Sequence, residues 1–224
     1  MGFLYETHLH TSEVSRCAVS SGEEMARAFK EYGYTGIIVT DHFFNGNTTI
    51  DANIKWEEKV EQLCSGYENA KKTGDKIGLS VFFGWEYNYK STEFLTYGLD
   101  KKWLLDNPDL LDWSLDEYFE RVKQSGGMLI HAHPFREAEY IHKIRLYPDR
   151  VDGVETINTH NFDNAYNIKA IEYAKEYNLP QTCGTDAHAA NVTNLGGMIF
   201  EHPLADIFDF IDRVKSGKNY TLKV

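Results

Sequence analysis

Histidines and carboxylates able to hold metal ions follow short apolar runs at several separate points of this chain. The groups are His8-Leu9-His10, Asp41-His42, Glu86, His131-Ala132-His133 and Asp186-Ala187-His188. Most of the 9 histidines of the chain lie at or beside the end of such a run. Imidazole nitrogens and carboxylate oxygens are typical ligands of divalent metals. The pattern therefore predicts a metal site built from several strand ends, and a reaction in which a metal-activated water attacks an electrophile.

The spacing within two of these groups places both ligands on one side of a strand end. His8 and His10 are two residues apart, as are Asp186 and His188. Side chains two apart in an extended segment point the same way, so one cation could take both members of a pair. A lone H-x-H is a weak signal that also occurs in exposed loops. Its combination with further ligand-type groups after separate apolar runs favours metal binding.

The elements that must position these residues alternate along the chain. We predict strands at residues 4–7, 36–40, 78–84, 94–99, 128–131, 153–157, 181–184 and 197–200, and helices at 22–32, 53–72, 114–124, 164–177 and 205–215. Ser114 is the expected N-cap of one helix, with Glu117 completing a capping box. Strand–helix alternation predicts a parallel sheet with right-handed crossovers. Ligands at several strand ends favour a closed βα barrel over an open sheet, which would gather its ligand at one switch point.

Composition limits the other possibilities. The 224 residues, 42% of them hydrophobic, suit one domain spanning residues 1–224 with a sizeable core. Acidic residues exceed basic ones by 34 − 23 = 11, so bulk binding to nucleic-acid backbone is not expected. Cys17, Cys64 and Cys183 are too few and too scattered for a disulfide framework and fit a reducing compartment. No apolar stretch approaches membrane-spanning length and no signal peptide is visible, so we expect a cytoplasmic protein.

Several single residues have two open interpretations. Glu86 could face solvent or bridge two cations, and the bridging role is favoured because it too follows an apolar run. His133 is the expected metal ligand of its pair, with His131 a core or supporting histidine. Arg136 could engage an anionic substrate or form a surface salt bridge. Asp41 is expected to orient an imidazole through its second nitrogen, and Cys17 is expected to be a small buried residue.

The motif set, taken in order, resembles that of the PHP (polymerase and histidinol phosphatase) family. The matching residues are His8-Leu9-His10-Thr11, Thr40-Asp41-His42, Glu86, His133-Pro134 and Gly184-Thr185-Asp186-Ala187-His188. The resemblance implies a distorted seven-stranded, TIM-like βα barrel that holds up to three metals and hydrolyses phosphoesters. It implies one metal at His8, His10, Glu86 and Asp186, a second at Glu86 and His133, and a third at His42 and His188.

Two stretches depart from the pattern that the resemblance implies. The family usually places an Asp or His shortly after the first H-x-H as a third-metal ligand, and here Glu13 could substitute or Arg16 could hold a phosphate. The family also commonly has a histidine between the glutamate and the His-Pro pair. Here Phe94-Leu95-Thr96 offers none, so the second metal would be underligated or would be completed by His160, His131 or water. We therefore expect two to three divalent ions, of Zn, Mn or Fe, with Glu13 and His160 as the weaker ligand candidates.

The expected function is hydrolysis of a phosphoester on a small phosphorylated metabolite or nucleotide. A hydroxide held by the cations attacks phosphorus, with Glu86, Asp186 and His188 as the catalytic set and Arg16 and Arg136 binding the substrate. One alternative is a metal-dependent amidohydrolase, which also begins with H-x-H on a βα barrel. Another is a non-catalytic metal-binding PHP module. The sequence defines neither the substrate nor the oligomeric state.

Overall fold

The computed structural model describes residues 2–224 as a nine-stranded sheet surrounded by helices. The strands are β1 (Phe3–Leu9), β2 (Gly36–Val39), β3 (Ser80–Tyr89), β4 (Thr92–Tyr97), β5 (Met128–His131), β6 (Gly153–Asn158), β7 (Gln181–Gly184), β8 (Gly197–Phe200) and β9 (Tyr220–Lys223). Their order in the sheet is β7-β6-β5-β4-β3-β2-β1-β8-β9. All eight expected strands are present: β5, β7 and β8 have the expected bounds, the other five have shifted ends, and β9 was not expected.

Six α-helices lie between or after the strands. They are α1 (Gly22–Glu31), α2 (Trp56–Ile77), α3 (Lys101–Leu105), α4 (Leu115–Gln124), α5 (Asn164–Glu176) and α6 (Ile207–Ser216). Ser114 caps α4 as expected, because its hydroxyl accepts from the backbone N–H of Glu117. The Glu117 carboxylate binds Arg121 one turn later. Among residues 2–224 no helix is both long and apolar enough to cross a membrane.

The sheet curls until its two ends nearly meet, so the fold is an α/β fold with a barrel-like sheet. Leu9 at the end of β1 forms a parallel bridge with Ala187, just beyond β7. The backbone N–H of His10 donates to the Ala187 carbonyl at 2.8 Å. The expected count of seven strands is wrong, because β8 and β9 form an antiparallel pair that adds to the edge of β1.

The expectation of an all-parallel sheet is also wrong. β4 runs antiparallel to both β3 and β5. A two-residue turn joins β3 to β4, with Lys90 and Ser91 both at positive φ (51° and 65°), the conformation that a tight hairpin requires. β3 extends to Tyr89, so Glu86 lies inside a strand rather than after one. The antiparallel return also carries Glu93 to the same end of the sheet as Glu86.

Helix packing makes this sheet a rigid support. α1 buries Met25, Ala26 and Phe29 in a cluster with Ile37 and Val39 of β2. The capping box of α1 at Ser21 and Glu24 fixes where that helix begins. On other parts of the sheet, α4 and α6 bury apolar faces in the same way, through Tyr118, Phe119, Val122, Phe210, Ile211 and Val214. A rigid support matters because ligands from different strands must keep fixed distances.

A buried carboxylate ties the end of β1 to the segment after β7. Glu6 Oε1 accepts from the N–H groups of Thr7 (2.9 Å), His8 (2.8 Å) and Thr185 (2.8 Å), and Oε2 accepts from the Thr185 hydroxyl. Burial raises the pKa of Glu6 to about 7, although the hydrogen bonds from Thr185 oppose that shift. Glu6 thus fixes the two backbone segments that carry His8 and Asp186.

We expect Glu6→Ala to lower the free energy of unfolding by at least ~3 kcal/mol, because several buried donors lose their acceptor at ~1–3 kcal/mol each. Urea denaturation followed by circular dichroism measures this. Glu6→Gln keeps one acceptor oxygen in the same place and should lose clearly less. A loss under ~1 kcal/mol for the alanine variant would contradict this role.

Candidate metal centre

Four ligand-type side chains, from the end of β1, the middle of β3 and the segment after β7, meet at the centre of a cluster of histidines and carboxylates. His8 Nε2 lies 3.2 Å from Glu86 Oε1 and 3.4 Å from Asp186 Oδ1. His10 Nε2 lies 3.2 Å from the same Asp186 oxygen and 3.1 Å from His8 Nε2. All four side chains are buried. The structure therefore brings together the four residues that the resemblance to the PHP family assigns to one metal.

Glu86 is at the centre of the cluster. Its Oε1 lies 3.1 Å from His133 Nε2, and its Oε2 lies 2.9 Å from His42 Nδ1 and 3.6 Å from His10 Nε2. One carboxylate thus contacts four imidazoles, counting His8. The short His42 contact lacks hydrogen-bond geometry, and His42 Nδ1 is buried without a hydrogen-bond partner. A lone pair in that position suits a metal ion better than a proton.

His10 also belongs to a neighbouring group that consists only of imidazoles. The His10 ring lies 4.4 Å from the His42 ring and 4.4 Å from the His188 ring, centroid to centroid. Each of these three histidines offers a ligand atom within 4.8 Å of the others. Equivalent groups are His8, His133 and Asp186; His8, His10 and Glu86; and His42, Glu86 and Glu93.

Hydrogen bonds on the far side of the rings fix their orientation. His8 Nδ1 lies 2.9 Å from Glu155 Oε1, His10 Nδ1 lies 3.1 Å from Ser15 Oγ, and His188 Nδ1 lies 2.8 Å from the Asp186 carbonyl. Ser15 gives its own proton to Asp41, so His10 Nδ1 must donate to it. A ring that donates through Nδ1 presents the Nε2 lone pair, the arrangement by which proteins prepare histidine for metal. The donor set therefore fits divalent cations.

The pKa values in the cluster reflect imidazoles and carboxylates that are buried together. Burial alone would lower the pKa of His8, but Asp186, Glu155 and Glu86 hold it well above its ordinary value. Burial together with His188 and His42 holds the pKa of His10 well below. Burial would raise the pKa of Glu86, yet the neighbouring imidazoles, His8 foremost, hold it well below. Glu86 is thus a carboxylate ready to bind a cation.

Two of the ligand candidates have an unusual backbone. His133 and Asp186 have φ of 27° and 59°, in the left-handed region, where a non-glycine residue costs on the order of 1–3 kcal/mol when the surroundings impose it. A residue before proline usually adopts an extended backbone, but His133, which precedes Pro134, does not. The N–H of His133 donates to Glu155 Oε2 at 3.1 Å, and this bond helps to hold the turn. The strand ends at His131, so His131 and His133 do not share a face.

Of the remaining candidate residues, Arg136 and His160 adjoin the cluster and His131 lies in the core. Arg136 is largely buried and donates to Asp186 Oδ2 and Asn158 Oδ1, at 2.8 and 2.9 Å, so it is no surface salt bridge. The His160 ring lies 5.4 Å from that of His188 and faces the same pocket. His131 packs 5.2 Å from the Phe94 ring, and burial lowers its pKa to about 3. It is a neutral histidine of the core.

Glu13, Arg16 and Asp41 lie beside the cluster but do not enter it. The Glu13 carboxylate accepts from the N–H of Gly22, and the Arg16 guanidinium donates to the Thr48 carbonyl. Asp41 binds Thr11 and Ser15 instead of an imidazole. It therefore orients His10 only indirectly, through the Ser15 hydroxyl.

The cluster forms the floor of an open pocket of about 740 Å³, a size that suits a small ligand. The wall includes Cys17, Arg136 and His160, with Tyr140 and Phe162 among the aromatic residues. The last two are 54% and 81% exposed, so their rings are free to meet a ligand. Phe43 and Tyr87 pack into the protein instead: both are buried, and Tyr87 is stacked on Tyr118 of α4.

Comparison with known proteins agrees with this architecture. Residues 164–219 match the family model described as PHP-associated. A two-domain protein of Bacteroides vulgatus, containing a predicted PHP-like metal-dependent phosphoesterase, superposes with a TM-score of 0.69 over 99% of this chain, at 15% identity. The resemblance to the PHP family is confirmed. The chain spans only 64% of the Bacteroides protein.

Two further relatives of this PHP-like chain differ in how they are described. An uncharacterised protein of Methanocaldococcus jannaschii is 27% identical over 137 residues, which are 58% of this chain and 48% of that protein. The chain thus spans about half the length of this curated relative. An amidohydrolase of Chromobacterium violaceum, solved with bound sulfate and no metal, superposes with a TM-score of 0.61 over 95% of this chain and 96% of its own length, at 14% identity. At these identities the solved structures establish the fold alone.

Two buried carboxylates of the PHP-like site escaped the sequence interpretation. Glu93 of β4 places Oε2 at 3.6 Å from His133 Nε2, and Glu155 of β6 holds both His8 and the turn at His133. Each interrupts an otherwise apolar or β-branched strand, in Thr92-Glu93-Phe94 and Val154-Glu155-Thr156. A carboxylate inside such a strand is the signal that could have found them, because an ionised group is buried only beside a partner.

Proposed function

We propose that this chain is a metal-dependent phosphoesterase that acts on a small phosphorylated metabolite or nucleotide. One observation carries the proposal: the Glu86 carboxylate lies among four imidazoles at the floor of an open pocket. The lone pairs of those rings are directed inward by Nδ1 hydrogen bonds at His8 and His10. A single domain over residues 1–224 and a cytoplasmic location stay predictions.

The residues that would hold metal fall into three groups. His8, His10, Glu86 and Asp186 would hold one ion; Glu86 and His133 a second, with Glu93 beside them; and His42 and His188 a third. Nitrogen and oxygen ligands of this kind take Zn, Mn or Fe. Bound cations would supply Lewis acidity, neutralising phosphoryl charge and lowering the pKa of a water.

Side chains on the pocket wall would position the substrate. Arg136 holds Asp186 in place at 2.8 Å and leaves part of its guanidinium on the pocket wall, where positive charge attracts a phosphorylated substrate. His160 lines the same wall and can donate a hydrogen bond to a phosphoryl oxygen. Arg16 is turned to the Thr48 carbonyl, and would need to swing toward the pocket to bind substrate.

Two alternatives remain beside this proposal. The Chromobacterium violaceum neighbour, an amidohydrolase, favours hydrolysis of an amide or lactone as the second candidate. The alternative of a non-catalytic metal-binding module has less support, because both the ligand set and an accessible pocket are in place.

The test begins with metal analysis of the purified protein. A panel of phosphomonoesters, phosphodiesters, amides and lactones is then assayed after loading with Mn²⁺, Zn²⁺ or Mg²⁺. We expect at least one class of phosphoester to be hydrolysed and the amides and lactones to be left intact. Amide or lactone hydrolysis alone would support the amidohydrolase, and metal binding without any hydrolysis would support the module.

A further inference from the structure

The group formed by His10, His42 and His188 has no carboxylate among its three members. Their ligand atoms lie within 4.8 Å of one another, and the three rings bring only nitrogen donors. Glu86 approaches His42 at Nδ1 and leaves Nε2 facing the other way. A divalent cation on that far side would need an anionic donor to balance its charge.

Glu13 is not in a position to be that donor. Its two carboxylate oxygens each lie 3.0 Å from the N–H of Gly22, at the first residue of α1, and Oε1 also accepts from Asn69 Nδ2 at 3.0 Å. These bonds satisfy the open end of the helix. Releasing Glu13 would leave the donors there without a partner.

The Cys17 side chain occupies the required place. Its Sγ lies 3.2 Å from His42 Nε2, and Cys17 and His188 line the same pocket. The expectation of a small buried residue is wrong, because Cys17 is exposed on the pocket wall between these two histidines. The His42 side chain is only 7% exposed and directs Nε2 at this thiol, while its unpartnered Nδ1 faces Glu86 on the opposite side of the ring.

We propose that Cys17 is a metal ligand, and that its thiolate joins His42 and His188 in a site for a thiophilic divalent cation, Zn²⁺. The inference deepens the proposed function and rests on it. One thiolate and two imidazoles are a ligand set that zinc takes with a fourth position left open. Sulfur favours zinc over Mg²⁺ or Mn²⁺, which prefer oxygen. This position would then differ from the rest of the cluster, where nitrogen and oxygen donors admit several metals.

Cobalt substitution tests the proposal without reference to activity. Metal-free protein is titrated anaerobically with Co²⁺, and the near-ultraviolet spectrum is followed for the sulfur-to-cobalt charge-transfer absorption that only a bound thiolate gives. We expect this absorption in the wild type and in Cys64→Ala, whose thiol is buried in α2 away from the pocket. Cys17→Ser should lack it and should bind Zn²⁺ at this position more than ~100-fold more weakly, beyond the ~10–100-fold that losing a supporting residue costs.

A second variant tests the role of sulfur against that of charge. Cys17→Asp keeps an anionic ligand, so it should retain the third ion without the charge-transfer absorption and should shift preference from Zn²⁺ toward Mn²⁺. Absorption that persists in Cys17→Ser would place the thiolate elsewhere and overturn the proposal. This inference alone would be overturned if the wild type bound its full complement of metal and hydrolysed phosphoesters but showed no charge-transfer absorption. A wild type that binds no metal would overturn the proposed function as well.

Discussion

Replacing Glu86 by glutamine is expected to reduce phosphoester hydrolysis at least ~1000-fold while the fold is kept. Glu86 contacts His8, His10, His42 and His133, and the resemblance makes it the ligand shared by two ions. Removing its charge costs two metal contacts at once. If these contacts supply ~4 kcal/mol of transition-state stabilisation, the loss is ~1000-fold, at 1.36 kcal/mol for each factor of ten.

The measurement is kcat/KM on the best phosphoester of the panel, beside the metal content of each variant. Glu201→Gln is the matched control, because Glu201 is exposed outside the pocket and should leave both quantities unchanged. Circular dichroism confirms that Glu86→Gln is folded. A Glu86→Gln protein that keeps more than a tenth of the wild-type kcat/KM would remove Glu86 from the mechanism.

Much of the candidate metal centre could be predicted because several of its ligands lie two residues apart in the sequence. The two-residue spacing of His8 and His10, and of Asp186 and His188, needs only extended backbone to place each pair together. The alternation of apolar runs with amphipathic segments predicts that these runs are strands of one sheet. The convergence of distant pairs then follows from the common direction of parallel strands, which β1, β2 and β3 share.

The rest could not be predicted because it depends on long-range pairing. Nothing local to Glu93 says that β4 turns back beside β3, and that reversal is what carries the carboxylate to His133. Glu155 reaches His8 across 147 positions of sequence. Cys17 meets His42 and His188 only after the loop that follows β1 has folded over the strand ends. Contacts of this kind depend on the tertiary structure, and the spacing of residues along the sequence does not reveal them.

Divalent metal is expected to raise the melting temperature of this protein by about 10–20 °C. The cluster buries Glu86, Glu93 and Asp186 together, and Glu93 has a raised pKa because of burial and the Glu86 charge beside it. A bound cation relieves that repulsion and binds the folded state. At 100 times Kd each ion adds ~2.7 kcal/mol, so two ions add ~5 kcal/mol, and one kcal/mol moves the melting temperature of a domain this size by ~2–4 °C.

Scanning calorimetry of protein freed of metal with a chelator, and then reloaded with Zn²⁺ or Mn²⁺, measures the shift. Glu86→Gln should show less than half of it, because its two shared contacts are lost, while Glu201→Gln should show all of it. The shift should shrink as the pH falls, because protons and cations compete for the same imidazole lone pairs. This loss should begin above pH 6.5, the ordinary pKa of histidine, because the carboxylates around His8 hold its pKa well above that value. A melting temperature that stays constant on reloading, with two ions per chain found by elemental analysis, would mean that folding and metal binding are not coupled here. The buried carboxylates would then have to be neutralised by protons and by Arg136 instead.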